Sequence, residues 1–122
     1  MELLNFDPES ADFLMRLVVA VVLGMLLGIE RIMAHKTAGV RTYSLVSMGA
    51  ALFVIVSEMV SANYLGVYNI DPLRMASQII MGVGFLGAGL IIFKDHQLMG
   101  LTTAGGLWVA AGIGTAVGFG FY

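Results

Sequence analysis

The sequence has no cysteine and very little charge. Its 122 residues include 6 Lys or Arg and 8 Asp or Glu, only 11% of the chain, whereas 59% are hydrophobic. A soluble domain of this size has too much surface to leave so little polar covering. Without cysteine there is no disulfide and no thiolate metal site, and a net charge of −2 gives no reason to expect nucleic acid. The composition therefore predicts an integral membrane protein.

Four hydrophobic blocks divide the chain. A helix rises about 1.5 Å per residue, so about 20 residues cross the hydrocarbon layer and about 17 are the lower limit. We therefore predict an all-α fold, a polytopic transmembrane helical bundle that forms one domain over residues 1–122. The predicted helices lie near residues 13–30, 43–60, 74–93 and 101–120.

Basic residues predict the orientation in the membrane. The first and third connections hold most of them: Arg31, Lys36, Arg41 and Lys94. By the positive-inside rule, the loops near 31–42 and 94–100 are cytoplasmic and the N-terminus is outside. The residues before the first helix are acidic where a signal peptide would be basic, so we expect that helix to be retained. Arg16 and Glu58 lie near helix ends and are expected to reach the headgroups.

Glycine is expected to govern helix packing. Lipid gives no hydrophobic drive for helix association, so the 16 glycines indicate close backbone approach. The third helix carries small residues on two faces, and we predict that it lies at the centre. We also expect a homo-oligomer, with a dimer as the assembly, since four short helices bury few small faces among themselves. The positions assigned to packing are Gly24, Gly28, Gly82, Gly84, Gly87 and Gly89.

Polar residues around the first connection form the predicted functional cluster. They are Glu30, Arg31, Lys36, Arg41 and Thr42. One interpretation treats them as interfacial anchors and topology signals. The other is a buried charge pair that binds a ligand or stabilises the fold. Arg41 suits Glu30 as a partner better than Arg31 does, because adjacent residues on a helix face apart.

A second polar group marks the helix starts. Asp71 with Pro72 is typical of an N-cap followed by a first helical residue. Arg74 lies near a positive dipole end, so we expect a carboxylate or phosphate partner for it. Thr102 and Thr103 are interpreted as caps of the fourth helix, and Gln78 as an inter-helix hydrogen-bonding residue.

The sequence predicts no cofactor and leaves the presence of a metal open. His35 and His96 fall in predicted loops, and with Asp95 they have the side chains of a metal site. Histidines in loops are, however, usually solvated rather than bound to metal.

Several blocks resemble the MgtC/SapB family of bacterial membrane proteins. The matching segments, in order, are residues 27–31, 36–42, 71–74 with Gln78, 82–89 and 100–104. The sequence departs from the family's usual pattern at His35, Tyr43 and Gly105-Gly106. The resemblance implies an inner-membrane protein involved in adaptation to low magnesium and in survival inside host cells. Many members also have a fifth membrane helix and a soluble cytoplasmic C-terminal domain.

Three classes of function are compatible with these residues. The first is a non-enzymatic regulator that binds other inner-membrane proteins, because no nucleophile–base set, central carboxylate pair or phosphate loop indicates an enzyme. The second is an ion (magnesium) channel or transporter component, although ion pathways usually place an ionisable residue at mid-membrane and none occurs there. The third is a lipid- or headgroup-binding sensor or enzyme that uses the cytoplasmic basic residues.

Overall fold

The computed structural model describes residues 7–33, 39–64, 66–67, 71–94 and 96–121. These residues form four helices and one short hairpin. The helices are α1 (Pro8–Met33), α2 (Val40–Asn63), α3 (Arg74–Leu90) and α4 (Leu101–Gly118). The hairpin consists of β1 (Ile92–Lys94) and β2 (Gln97–Met99), which pair antiparallel between α3 and α4. The predicted helical bundle is confirmed.

The helices differ in whether they are long enough to cross a membrane. By length and composition α1, α2 and α4 each suffice, so the chain is a membrane protein. Helix α3 has 17 residues, about 25 Å at 1.5 Å per residue, which is the lower limit for a crossing.

The third helix ends three residues before the predicted boundary at residue 93. The chain leaves the helix at Ile91, which is extended, and Ile92 then pairs with Met99 in the hairpin. His96 makes the turn with a φ of 63°. A short apolar run such as residues 90–93 suits a helix or a strand equally well, so periodicity did not reveal the hairpin.

Helices α1 and α2 approach backbone to backbone. A Cβ built on Gly24 would lie 2.7 Å from the Ser44 Cα, and one on Gly28 would overlap the backbone of Val40. Ser47 of α2 donates a hydrogen bond of 2.7 Å to the Ala20 carbonyl of α1 across the same contact. The packing roles predicted for Gly24 and Gly28 are consistent with this geometry.

Helices α2 and α4, and not α3, form the centre of the bundle. Each of them packs on the other three helices. Gly114 lies against the Ser47 backbone and Gly118 against Ala51, which leaves no room for a side chain at either glycine.

The central position predicted for α3 is therefore wrong. Gly87 makes an ordinary contact with Ala104 of α4, at 3.4 Å from its would-be Cβ. The positions at Gly82, Gly84 and Gly89 have nothing within 4 Å. These three glycines make no close helix contact within the described chain, because α3 joins the bundle mainly through its other side.

Adding a single methyl group separates the two kinds of glycine. Gly28→Ala and Gly114→Ala should each lower the free energy of unfolding by about 1–3 kcal/mol, because helix backbones must separate. Thermal unfolding in a mild detergent measures this loss. The matched control is Gly89→Ala, which should be neutral or slightly stabilising because alanine favours helix. Equal loss in all three variants would contradict the packing described here.

Candidate functional site

An arginine near the start of α1 joins three helices. Arg16 contacts Asp12 through Nη2 at 2.8 Å and Glu58 of α2 through Nη1 at 3.1 Å. Its Nη1 also donates a hydrogen bond of 2.7 Å to the carbonyl of Gly118, at the end of α4. We call Asp12, Arg16, Glu58 and this carbonyl the Arg16 node. Its arginine side chain is only 16% exposed.

The charges of the Arg16 node complement one another. The last carbonyls of a helix carry partial negative charge and have no partner within the helix, so a guanidinium stabilises that end of α4. Two carboxylates also bind Arg16, so the node has a formal net charge of −1. Arg16 and Glu58 bind each other, which was not predicted from the sequence. The expectation that they reach the headgroups stays a prediction.

One feature of the sequence would have indicated this pair. In antiparallel neighbours, the start of one helix lies beside the end of the next. Arg16 near the start of α1 and Glu58 near the end of α2 carry opposite charge at that shared level. The node also places the start of α1 and the ends of α2 and α4 together, as an up-and-down bundle requires.

The predicted pair at the opposite end of α1 is not formed. Glu30 and Arg41 are both exposed, and no salt bridge joins them in the described part of the chain. Thr42 is half-buried. Lys36 and the side chain of Arg31 lie outside the described residues, so that part of the predicted cluster stays a prediction.

The polar residues at the start of α3 are Asp71 and Arg74. Helix α3 begins at Arg74 with Leu73 as its N-cap, and Asp71 accepts a hydrogen bond of 3.0 Å from the Leu73 N–H in the turn before it. Arg74 is exposed and has no salt-bridge partner among the residues described. Asp71 thus accepts a hydrogen bond from an N–H at the start of α3, which is the interaction predicted for it, although the helix itself begins at Arg74. The carboxylate or phosphate partner predicted for Arg74 stays a prediction.

Helix α4 begins without a side-chain cap. Its N-cap is Gly100, which has a φ of 85° and no side chain. Thr102 is exposed, whereas Thr103 is buried and its carbonyl accepts a hydrogen bond of 3.1 Å from the Tyr43 hydroxyl. The capping roles predicted for the two threonines are wrong.

Two departures from the family pattern lie against each other. Tyr43 is fully buried, and its hydroxyl occupies the space where a side chain at Gly106 would stand. The large ring of Tyr43 on α2 thus fits against α4 because Gly106 has no side chain.

An apolar groove opens between α2 and α3. It has a volume of about 660 Å³, and its lining includes Leu45, Gly49, Phe53, Gln78, Gly82 and Leu86. Gln78 is exposed, and its amide has no hydrogen-bond partner within the described ranges. We call this feature the α2–α3 groove.

A second uncovered surface runs along α4. Trp108 is 58% exposed, and Val109 beside it is 49% exposed. Gly105 and Gly112 lie on the same side, with nothing within 4 Å of their Cβ positions. These four residues form what we call the open face of α4.

The described residues include no group of three or more His, Asp or Glu positioned to hold a metal ion. His96 is exposed. His35 and Asp95 lie outside the described residues, so the loop metal site considered from the sequence is not tested.

Comparison with known proteins identifies relatives over nearly the whole chain. A profile described as MgtC family matches residues 17–122. The chain is 44% identical over 115 residues to "Putative magnesium transporter YhiD" of Escherichia coli strain K12, which covers 93% of this chain. It is 41% identical over 119 residues to "Protein SapB" of Bacillus subtilis strain 168, covering 95% of this chain.

A third relative is "Protein MgtC" of Brucella abortus strain 2308, 45% identical over 101 residues and covering 83% of this chain. The matches span 54%, 50% and 40% of these three relatives, so the chain corresponds to about half their length. No solved structure matches the chain.

A double-mutant cycle tests the Arg16 node. Arg16→Met should destabilise the bundle more than Glu58→Leu, because Arg16 has three partners and Asp12 remains to pair when Glu58 is lost. The coupling energy between the two changes should be about 1 kcal/mol or more, measured by thermal unfolding in detergent. The control cycle, Glu30→Ala with Arg41→Ala, should be additive within about 0.5 kcal/mol. Similar coupling in both cycles would contradict the assignment.

Proposed function

The chain belongs to the MgtC family, and we therefore propose that it regulates other membrane proteins by binding their transmembrane helices. It acts without catalysis, in the inner membrane of a bacterium. The process it serves is adaptation to low magnesium and to life inside host cells, as the family resemblance implies. The name of the Escherichia coli relative supports the link to magnesium.

The open face of α4 is the observation that carries this proposal. Helix α4 packs on every other helix of the described bundle, yet this side of it is uncovered. Gly105 and Gly112 let another backbone approach closely, which is how helices associate in lipid. Trp108 between them offers a large, rigid contact of the kind that dominates binding energies. A partner helix can therefore approach the backbone at the two glycines and pack its side chains against Trp108.

An ion pathway is the second candidate, favoured by the name of the Escherichia coli relative. The described acidic residues of the helices lie near helix ends, at Glu9, Asp12, Glu30 and Glu58. Cation pathways usually have an ionisable side chain near mid-membrane. Purified protein in liposomes loaded with a magnesium-sensitive dye distinguishes the candidates, since magnesium entry above that of empty liposomes would favour the pathway.

We further propose that the N-terminus and the Arg16 node lie outside and that the hairpin lies in the cytoplasm. The support is the excess of basic residues in the first and third connections. Because the chain has no cysteine, single-cysteine variants report the orientation cleanly. A membrane-impermeant thiol reagent should label Asp7→Cys in spheroplasts and Gln97→Cys only after the membrane is opened. The reverse pattern would contradict this orientation.

Filling the open face of α4 should abolish partner binding without unfolding the bundle. In cells, a photo-crosslinking residue at Val109 should give adducts with other membrane proteins, and Gly112→Leu should reduce their yield at least tenfold. Growth in low magnesium should fall in parallel. Thermal stability should not change, because nothing lies within 4 Å of the Gly112 Cβ position.

The control is the same change at an open glycine of another helix. Gly84 of α3 also has nothing within 4 Å of its Cβ position, so Gly84→Leu adds the same side chain away from α4 and should leave adducts and growth unchanged. If Gly112→Leu grows normally and keeps its adducts, α4 is not the binding surface.

A further inference from the structure

The α2–α3 groove is an apolar space between two helices that no described residue fills. We propose that a second copy of this chain fills it, so that two protomers meet along α3 about a two-fold axis normal to the membrane. Both copies share one orientation in the bilayer, so a residue close to such an axis meets its own counterpart at the same depth.

The exposed area is sufficient for such a dimer. Five large side chains on and beside the groove are each at least half exposed: Leu45, Phe53, Met81, Phe85 and Leu86. At on the order of 100 Å² for each side chain, covering them in both copies removes about 1,000 Å² of surface. That area is close to the lower size of a specific protein interface. In lipid it stabilises the dimer through close packing and not through a hydrophobic drive.

Gln78 identifies a second copy as the occupant. It lies four residues after the start of α3, about 6 Å along the axis, and so inside the span of the helix. A primary amide without a partner is costly in an apolar surrounding, and no described residue bonds to it. An amide carries both donor and acceptor, so two Gln78 side chains across a two-fold axis satisfy each other.

The shape of α3 also matches itself. Phe85 is 81% exposed, and at seven residues from Gln78 it lies two turns along the same face. The groove beside that face is lined in part by Gly49 and Gly82, which lack side chains, so α3 of a second copy meets no side chain at those positions. Phe85, like Gln78, then lies near the axis and meets its own counterpart, as an isologous contact requires.

This interface is separate from the open face of α4 on which the proposed regulation depends. The two surfaces belong to different helices, so a variant can remove one and leave the other. If the unsubstituted groove gives no dimer while partner adducts form at α4, only the role of the α2–α3 groove is disproved. If the dimer forms without partner adducts, only the proposed regulation is disproved.

Disulfide formation in native membranes tests the proposal, because the chain has no cysteine of its own. Met81→Cys places one thiol on the outer side of α3 and leaves Gln78 and Phe85 intact. Mild oxidation should give a product of twice the protomer mass, in at least fivefold greater yield than Val22→Cys on α1. Yield no greater than that of Val22→Cys, or a product of another mass, would overturn the proposal.

Substitutions in the Met81→Cys background test the contacts. Gln78→Leu should lower the yield about threefold to tenfold, the effect of one inter-helix hydrogen bond, and Gln78→Asn should retain more of it. Gly82→Leu should abolish the product by filling the groove.

Gly84→Leu is the matched control for the groove variant. It adds the same side chain to the same helix, at a glycine that is equally open within the bundle and does not line the groove. It should retain the product, and thermal unfolding should show that both leucine variants fold. If Gly84→Leu lowers the yield as much as Gly82→Leu, the groove is not the interface.

Discussion

The bundle depends on helix backbones that approach too closely for a side chain to stand between them. Gly24 and Gly28 of α1 lie on the backbone of α2, and Gly114 and Gly118 of α4 lie on it from another side. In lipid there is no hydrophobic drive toward association, so close packing and polar contacts must stabilise the bundle. The Ser47 hydroxyl can donate its hydrogen bond to the Ala20 carbonyl only because the two helix backbones lie this close together.

The same constraint explains what remains uncovered. The side of α4 that packs closely lies against α1 and α2. Helix α3 contacts α4 at ordinary van der Waals distance, at Gly87. Helix α3 therefore stands off from α2, which opens the α2–α3 groove and leaves its own glycines free. An uncovered glycine on a membrane helix permits close approach by a further helix, and both proposed binding surfaces have this property.

The Arg16 node complements the glycine contacts with charge. A buried guanidinium is tolerated only with several partners, and this one has two carboxylates and a helix-terminal carbonyl. It fixes the order of α1, α2 and α4 at one end of the bundle. At the other end of α1 the exposed Glu30 and Arg41 do not restrict the helices in this way.

The sequence by itself determined the membrane class, the four helices and the glycines of α1, because hydropathy, helix length and four-residue spacing are local properties. Family membership followed from ordered motifs. Tertiary structure alone decided which helices are central, that Arg16 binds Glu58, that Gln78 borders a groove and that a hairpin follows α3. Each of these depends on which helices become neighbours. Which helices become neighbours depends on how the surfaces of segments far apart in the chain fit together. A short stretch of sequence does not contain that information.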